Sequence, residues 1–163
     1  MDNKNSNRIS GKISFDDYKV KELEYRFNPK FNLDEPIMIS FELGHGYEVH
    51  NGGMNVQMGV KIFDKAEEHG YPFELKIELE GLFSFEGDVD GERFLPNALA
   101  ILYPYLRSIV TGYTSLANLQ PLILPTINMQ QYLEESKTTN KKPSNLNWLL
   151  GFFLCFNDNT NRK

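Results

Sequence analysis

Residues 73–87 read FELKIELEGLFSFEG, and their alternation is nearly unbroken. Phe73, Leu75, Ile77, Leu79, Phe83 and Phe85 share one parity; Glu74, Lys76, Glu78, Glu80 and Ser84 share the other. Successive side chains in a strand leave opposite faces, so this run demands a sheet with one apolar and one wet face. Gly81 stands in the apolar row and leaves a gap that a helix backbone can approach. Three earlier runs fit the same sheet. In YKVKELEYRF (18–27), Tyr18 and Val20 share one parity while Leu23, Tyr25 and Phe27 share the other, which predicts a bulge near Lys21 and Glu22. PIMISFEL (36–43) lines up Ile37, Ile39, Phe41 and Leu43, and MNVQMGVKIF (54–63) lines up Met54, Val56, Met58, Val60 and Ile62. GHGYEVHNGG (44–53) reads as a glycine-dense turn and DKAEEHGYP (64–72) as a connection. NPKFNLDE (28–35) is long enough to cross another strand.

After the strands comes FLPNALAILYPYLRSIVTGYT (94–114), the most apolar long run in the chain. Leu95, Leu99, Leu102, Leu106, Ile109 and Tyr113 recur at helical spacing and form one stripe. Ala98, Ile101, Tyr105, Ser108 and Gly112 form a second stripe beside it. Pro96 fits a first turn, whereas Pro104 removes an interior hydrogen bond and predicts a kink. One sheet absorbs one stripe. The second calls either for a sheet from another subunit or for cover by the chain's own C-terminus, and the pattern leaves both open. Beyond the helix, Leu122, Ile123 and Leu124 lie between prolines and must be extended, either as a groove wall or as a buried connection. Asn128 with Gln131 forms a start like a capping box for a short second helix through Glu135.

The chain has 163 residues, enough for one domain with an ordinary core. A net charge of -5 argues against general nucleic-acid binding. The single cysteine, Cys155, excludes an internal disulfide and fits a reducing compartment. The polar start MDNKNSNRISGK is not a secretory signal, and Asn97 and Arg107 interrupt the longest apolar run, so a soluble cytoplasmic protein is expected, without membrane insertion. No catalytic constellation, metal site or cofactor motif is expected. His45, His50 and His69 fall in predicted loops without a ligand pattern, and GHGYEV carries Val49 where a dinucleotide fingerprint needs its third glycine. Cys155 lies among aromatic residues and reads as a packed thiol.

GLFSFEG (81–87), LYPYLRSIVT (102–111) and LQPLILPTINM (119–129), in this order, resemble the SecB export-chaperone family over roughly residues 15–135. The resemblance implies an α+β fold: a four-stranded antiparallel sheet, then a long kinked helix and a short second helix. It implies a homotetramer, a dimer of dimers, with Ala98, Ile101, Tyr105, Ser108 and Gly112 between sheets. It also implies ATP-independent holding of unfolded polypeptide in apolar grooves, at Phe27, Phe31, Ile39, Phe41, Leu43, Leu122, Leu124 and Tyr132, each of which plain core packing would also explain. SecB proteins hand clients to the motor SecA through an acidic sheet face. Here that face reads Glu74, Lys76, Glu78, Glu80, and the lysine puts motor docking in doubt. SecB-like chaperones that hold an antitoxin are the second reading. A hot-dog-type thioesterase ranks low, because its central helix precedes most strands and this helix carries no carboxylate.

By organisation, residues 1–17 read as a polar lead-in, 18–137 as the chaperone-like domain, and 138–163 as linker and tail. The tail NWLLGFFLCF (147–156) is too short to span a bilayer, and left bare it is an aggregation hazard, so something should cover it. Three possibilities stand: it occupies the client groove as an internal pseudo-substrate, it docks on the sheet as an extra element, or it is an extension without a role.

Overall fold

The computed structural model describes residues 13–32, 38–87 and 90–138, together with the backbone of 147–150 and 154–155. The strands are β1 (Ile13–Phe27), β2 (Met38–Ile39), β3 (Phe41–His50), β4 (Gly53–Ile62) and β5 (Phe73–Phe85). A short α1 (Ala66–His69) joins β4 to β5, and a 3-10 turn at Gly91–Phe94 leads into α2 (Leu95–Leu116). Then come α3 (Met129–Thr138), β6 (Asn147–Leu150) and β7 (Leu154–Cys155). The main sheet has the order β1-β5-β4-β3-β6, antiparallel throughout, and β2 pairs with β7. The connection after β1 therefore passes over β5 and β4 to reach β3, the crossing that its length allowed.

β1 shows how a mixed pattern becomes a one-faced strand. Its register against β5 slips between Phe15 and Asp17 and again between Val20 and Glu22, so Asp16 and Lys21 are extra residues. With both bulges in place, Phe15, Tyr18, Val20, Leu23, Tyr25 and Phe27 stand opposite Phe83, Gly81, Leu79, Ile77, Leu75 and Phe73, all on the apolar row. The bulge at Lys21 is the expected one. The bulge at Asp16 lies in the stretch read as lead-in, and the strand begins five residues before position 18.

β3 overturns the turn reading of GHGYEVHNGG. Its strand runs to His50, and the reversal is confined to Asn51 and Gly52, whose φ of 81° is the left-handed conformation that glycine tolerates. Cross-strand pairing overrides the glycine signal: His45, Tyr47 and Val49 pair with Met58, Val56 and Met54, so the apolar row of β4 holds the strand straight.

α2 lies on the apolar face. Leu95, Ala98, Leu99, Leu102, Tyr103, Leu106, Val110 and Thr114 are buried. The Gly81 gap is filled by a side chain, not a helix backbone: a Cβ there would stand 3.2 Å from Leu102 Cδ1. The helix continues through Pro104. The carbonyl freed at Ala100 is tolerated because both residues are exposed to water. The second stripe is partly satisfied inside the chain. Tyr105 lies 4.6 Å from the Tyr18 ring and 5.3 Å from that of Phe15, Ala98 is buried, and Ile101 packs against the core. Ser108 and Gly112 remain exposed.

Beyond the end of β1, Asn28 fastens the strand to the α1 region. Its side-chain amide donates to the carbonyl of Tyr71 at 2.8 Å, and its Oδ1 accepts from the Lys30 N–H at 3.0 Å. It is buried, so these bonds replace the water it has lost.

Candidate functional site: an apolar row and two sheet edges

α2 covers β4 and β5 but leaves the far side of β1 bare. Val20, Leu23 and Phe27 are 48%, 38% and 61% exposed although they belong to the apolar row. Tyr25, between Leu23 and Phe27, is instead covered by Tyr113 of α2 at 5.6 Å. Three large apolar side chains on one edge strand form the kind of patch that marks an interaction surface.

The residues expected to line a groove divide in two. Phe27 is exposed and Phe31 is half-buried. Ile39, Phe41, Leu43, Leu122, Leu124 and Tyr132 are buried within the single-chain core. The reason lies in the segment after α2. Leu122 and Leu124 turn inward while Ile123 faces out, as in a strand, and α2 side chains hold the backbone of this stretch. Thr111 Oγ1 donates to the Leu122 carbonyl at 2.8 Å. The Leu122 N–H donates to Thr114 Oγ1 at 3.0 Å, and the Tyr103 hydroxyl donates to the Pro125 carbonyl at 2.5 Å. Burial pushes the Tyr103 hydroxyl up to about 12, against an opposing pull from Arg107, so it remains a donor at neutral pH. The proline-braced segment is thus a buried connection, one of its two expected readings.

α3 begins at Asn128, whose Oδ1 accepts from the N–H groups of Gln130 and Gln131 at 3.0 and 3.2 Å. Only this half of the capping box forms, since the Gln131 side chain donates to Glu135. The helix brings Tyr132 onto β3. Its hydroxyl lies 2.9 Å from His45 Nδ1 and donates to the Leu43 carbonyl at 3.4 Å. His45 is therefore no loop residue. It is buried, and desolvation lowers its pKa to about 4, so it is neutral. The same burial raises the Tyr132 pKa. Periodicity had a signal for this contact, because His45 shares parity with Phe41 and Leu43; the surrounding glycines masked it.

The second edge of the sheet is β3, with β2 just before it. The tail covers it: β6 pairs with Glu42–His45 and β7 with Met38–Ile39. The backbone of β6 and β7 is thus paired along this edge.

On the outer face two of the expected docking carboxylates, Glu78 and Glu80, are charge-compensated. Lys76 reaches Glu22 at 2.8 Å and Glu78 at 3.0 Å, and Lys21 reaches Glu80 at 3.4 Å, whereas Arg26, which stands opposite Glu74, reaches Glu24 at 3.5 Å. The hydrogen bond to Glu22 is the largest influence on Lys76 and raises its pKa. Among the described residues, no three His, Cys, Asp or Glu groups gather where they could hold a metal ion, and no helix is long and apolar enough to cross a membrane.

A two-layer sheet and helix with exposed apolar edge positions defines a fold class that known proteins share. The chain has the fold of the Mycobacterium tuberculosis SecB-like chaperone Rv1957, solved with a peptide from the Rv1956 HigA1 antitoxin: TM-score 0.58, 16% identity, 71% of this chain and 91% of that one. A protein of unknown function from Streptococcus agalactiae aligns at a TM-score of 0.44 and 12% identity, over 70% of this chain and 97% of that one. In sequence, the chain is 29% identical over 137 residues to an uncharacterized protein of Methanocaldococcus jannaschii, covering 78% of this chain and 88% of that one. No protein-family profile matches it.

Proposed function

We propose that this protein is a SecB-like chaperone that holds non-native polypeptide without ATP. The observation that carries the reading is the bare row Val20, Leu23 and Phe27 on a fold shared with a SecB-like chaperone solved with a bound peptide. Phe27 and Phe31 are its client contacts. Ile39, Phe41, Leu43, Leu122, Leu124 and Tyr132 act from beneath, as the core that shapes the surface. The protein assembles as a homotetramer in the cytoplasm, with the exposed side of α2 at Ser108 and Gly112 in the contact between dimers.

A slow-folding client diluted from denaturant tests the activity. Stoichiometric protein suppresses light scattering by the client, and nucleotide changes nothing; failure to suppress, or suppression only with ATP, refutes the reading. Val20→Ser with Phe27→Ser weakens holding by several-fold while the circular dichroism spectrum is unchanged. Light scattering after gel filtration reports four subunits, and a monomer at micromolar concentration refutes the assembly.

Between the two client classes, an antitoxin is favoured over export cargo. Among the described residues, compensation of Glu78 and Glu80 leaves Glu74 as the one expected docking carboxylate without an ion pair at hand for SecA, and the fold neighbour was solved with an antitoxin peptide. Salt-sensitive association with SecA would restore the export reading. The thioesterase reading lacks support, since α2 follows β1, β3, β4 and β5 and has no carboxylate; turnover of an acyl-thioester would revive it.

A further inference from the structure

β3 is an edge strand that already holds an extended segment. The ladder from Glu42–His45 to Leu150–Asn147 and the ladder from Met38–Ile39 to Cys155–Leu154 run in the same antiparallel sense, offset by one residue. Residues 147–150 thus lie along Glu42–His45, and 154–155 along Met38–Ile39. Without them, the outward N–H and C=O groups of that edge would lack sheet partners, which makes it a template for any chain of strand-forming residues. The sequence of this segment, NWLLGFFLC, is apolar and free of proline and of charge, and eight largely polar residues, 139–146, separate it from α3 in the sequence.

We propose that this edge is the strand-adding site for an extended apolar client segment of about nine residues, in antiparallel sense, and that β6 and β7 are its resident, displaceable occupant. The proposal rests on the holding function above and assigns it a second place, across the sheet from the Val20, Leu23 and Phe27 row. Backbone hydrogen bonds accept many sequences, as a holder of varied clients needs. Ile39, Phe41 and Leu43, whose side chains are buried, then meet the client through their backbones. A tether of this length gives an effective concentration on the order of 1 mM, so a free peptide with a Kd of about 10 μM is weakened roughly 100-fold by the tail.

The test uses the full chain. Trp148→Pro with Leu149→Pro places proline at consecutive positions, one of which must remove an N–H from the ladder to β3. The probe is a fluorescein-labelled peptide spanning residues 145–163. Its binding tightens 10- to 100-fold in the double variant, and unchanged affinity overturns the proposal. A cross-link guards against misfolding of that variant. In a Cys155→Ser background, Glu42→Cys and Leu150→Cys stand directly opposite, within disulfide reach. Oxidation abolishes peptide binding and weakens client holding several-fold, and reduction restores both. If the oxidised form binds the peptide and holds client as well as the reduced form, the edge is not a client site, while the holding function stands. If neither form holds client, the holding function itself fails and the proposal falls with it.

Discussion

His45 makes the stability of this protein sensitive to acid, and the size of the effect can be worked out. The imidazole is buried between β3 and α3, with the Tyr132 hydroxyl at 2.9 Å. Desolvation lowers its pKa from 6.5 to about 4. As pH falls through 6.5 the unfolded chain takes up a proton there, whereas the folded chain does not until about pH 4. The unfolded state binds more protons across this window, so stability rises with pH within it and is lost on acidification. The loss attributable to His45 is about 2 kcal/mol at pH 5 and about 3 kcal/mol at pH 4. The assay is urea unfolding at fixed protomer concentration, at pH 7 and pH 5, for wild type and His45→Gln. Gln keeps a polar partner for Tyr132 and cannot titrate. Wild type loses about 2 kcal/mol more than the variant between the two pH values. Equal losses refute the reasoning, as does an NMR titration of His45 in the folded protein with a midpoint near 6.5.

Three further substitutions test the fold around the site. Asn28→Ala strands the Tyr71 carbonyl and the Lys30 N–H, and lowers stability by about 1–3 kcal/mol in the same assay. Thr114→Val leaves the buried Leu122 N–H without an acceptor and also costs about 1–3 kcal/mol, with faster hydrogen exchange at Leu122 as the specific sign. Gly53→Ala drives a Cβ into the Phe83 carbonyl, a backbone atom that cannot rotate away; the melting temperature falls by several degrees, and more than for Gly112→Ala, where the space around the Cβ is open.

Much of this fold is legible along the chain because it depends on near neighbours. The strict alternation of β5, the bulge at Lys21, the span of α2 and the cap at Asn128 all follow from spacing that one stretch carries by itself. The candidate site is different, because it depends on what covers what. Whether Leu122 and Leu124 line a groove or fill a core turns on hydrogen bonds from Tyr103, Thr111 and Thr114, which only the packing of α2 brings alongside. That His45 lies in a strand depends on pairing with Met58 of β4, and its burial depends on Tyr132, 87 positions away. Tyr105 meets both Phe15 and Tyr18 only because the bulge at Asp16 brings the two rings to the same side of the sheet. The tail's place on the β3 edge is set by strand pairing across about a hundred residues, for which an apolar run carries no address. Periodicity specifies which face of an element is apolar. What lies against that face, and which edge stays open, is decided by the meeting of distant segments, and that is where the function of this protein resides.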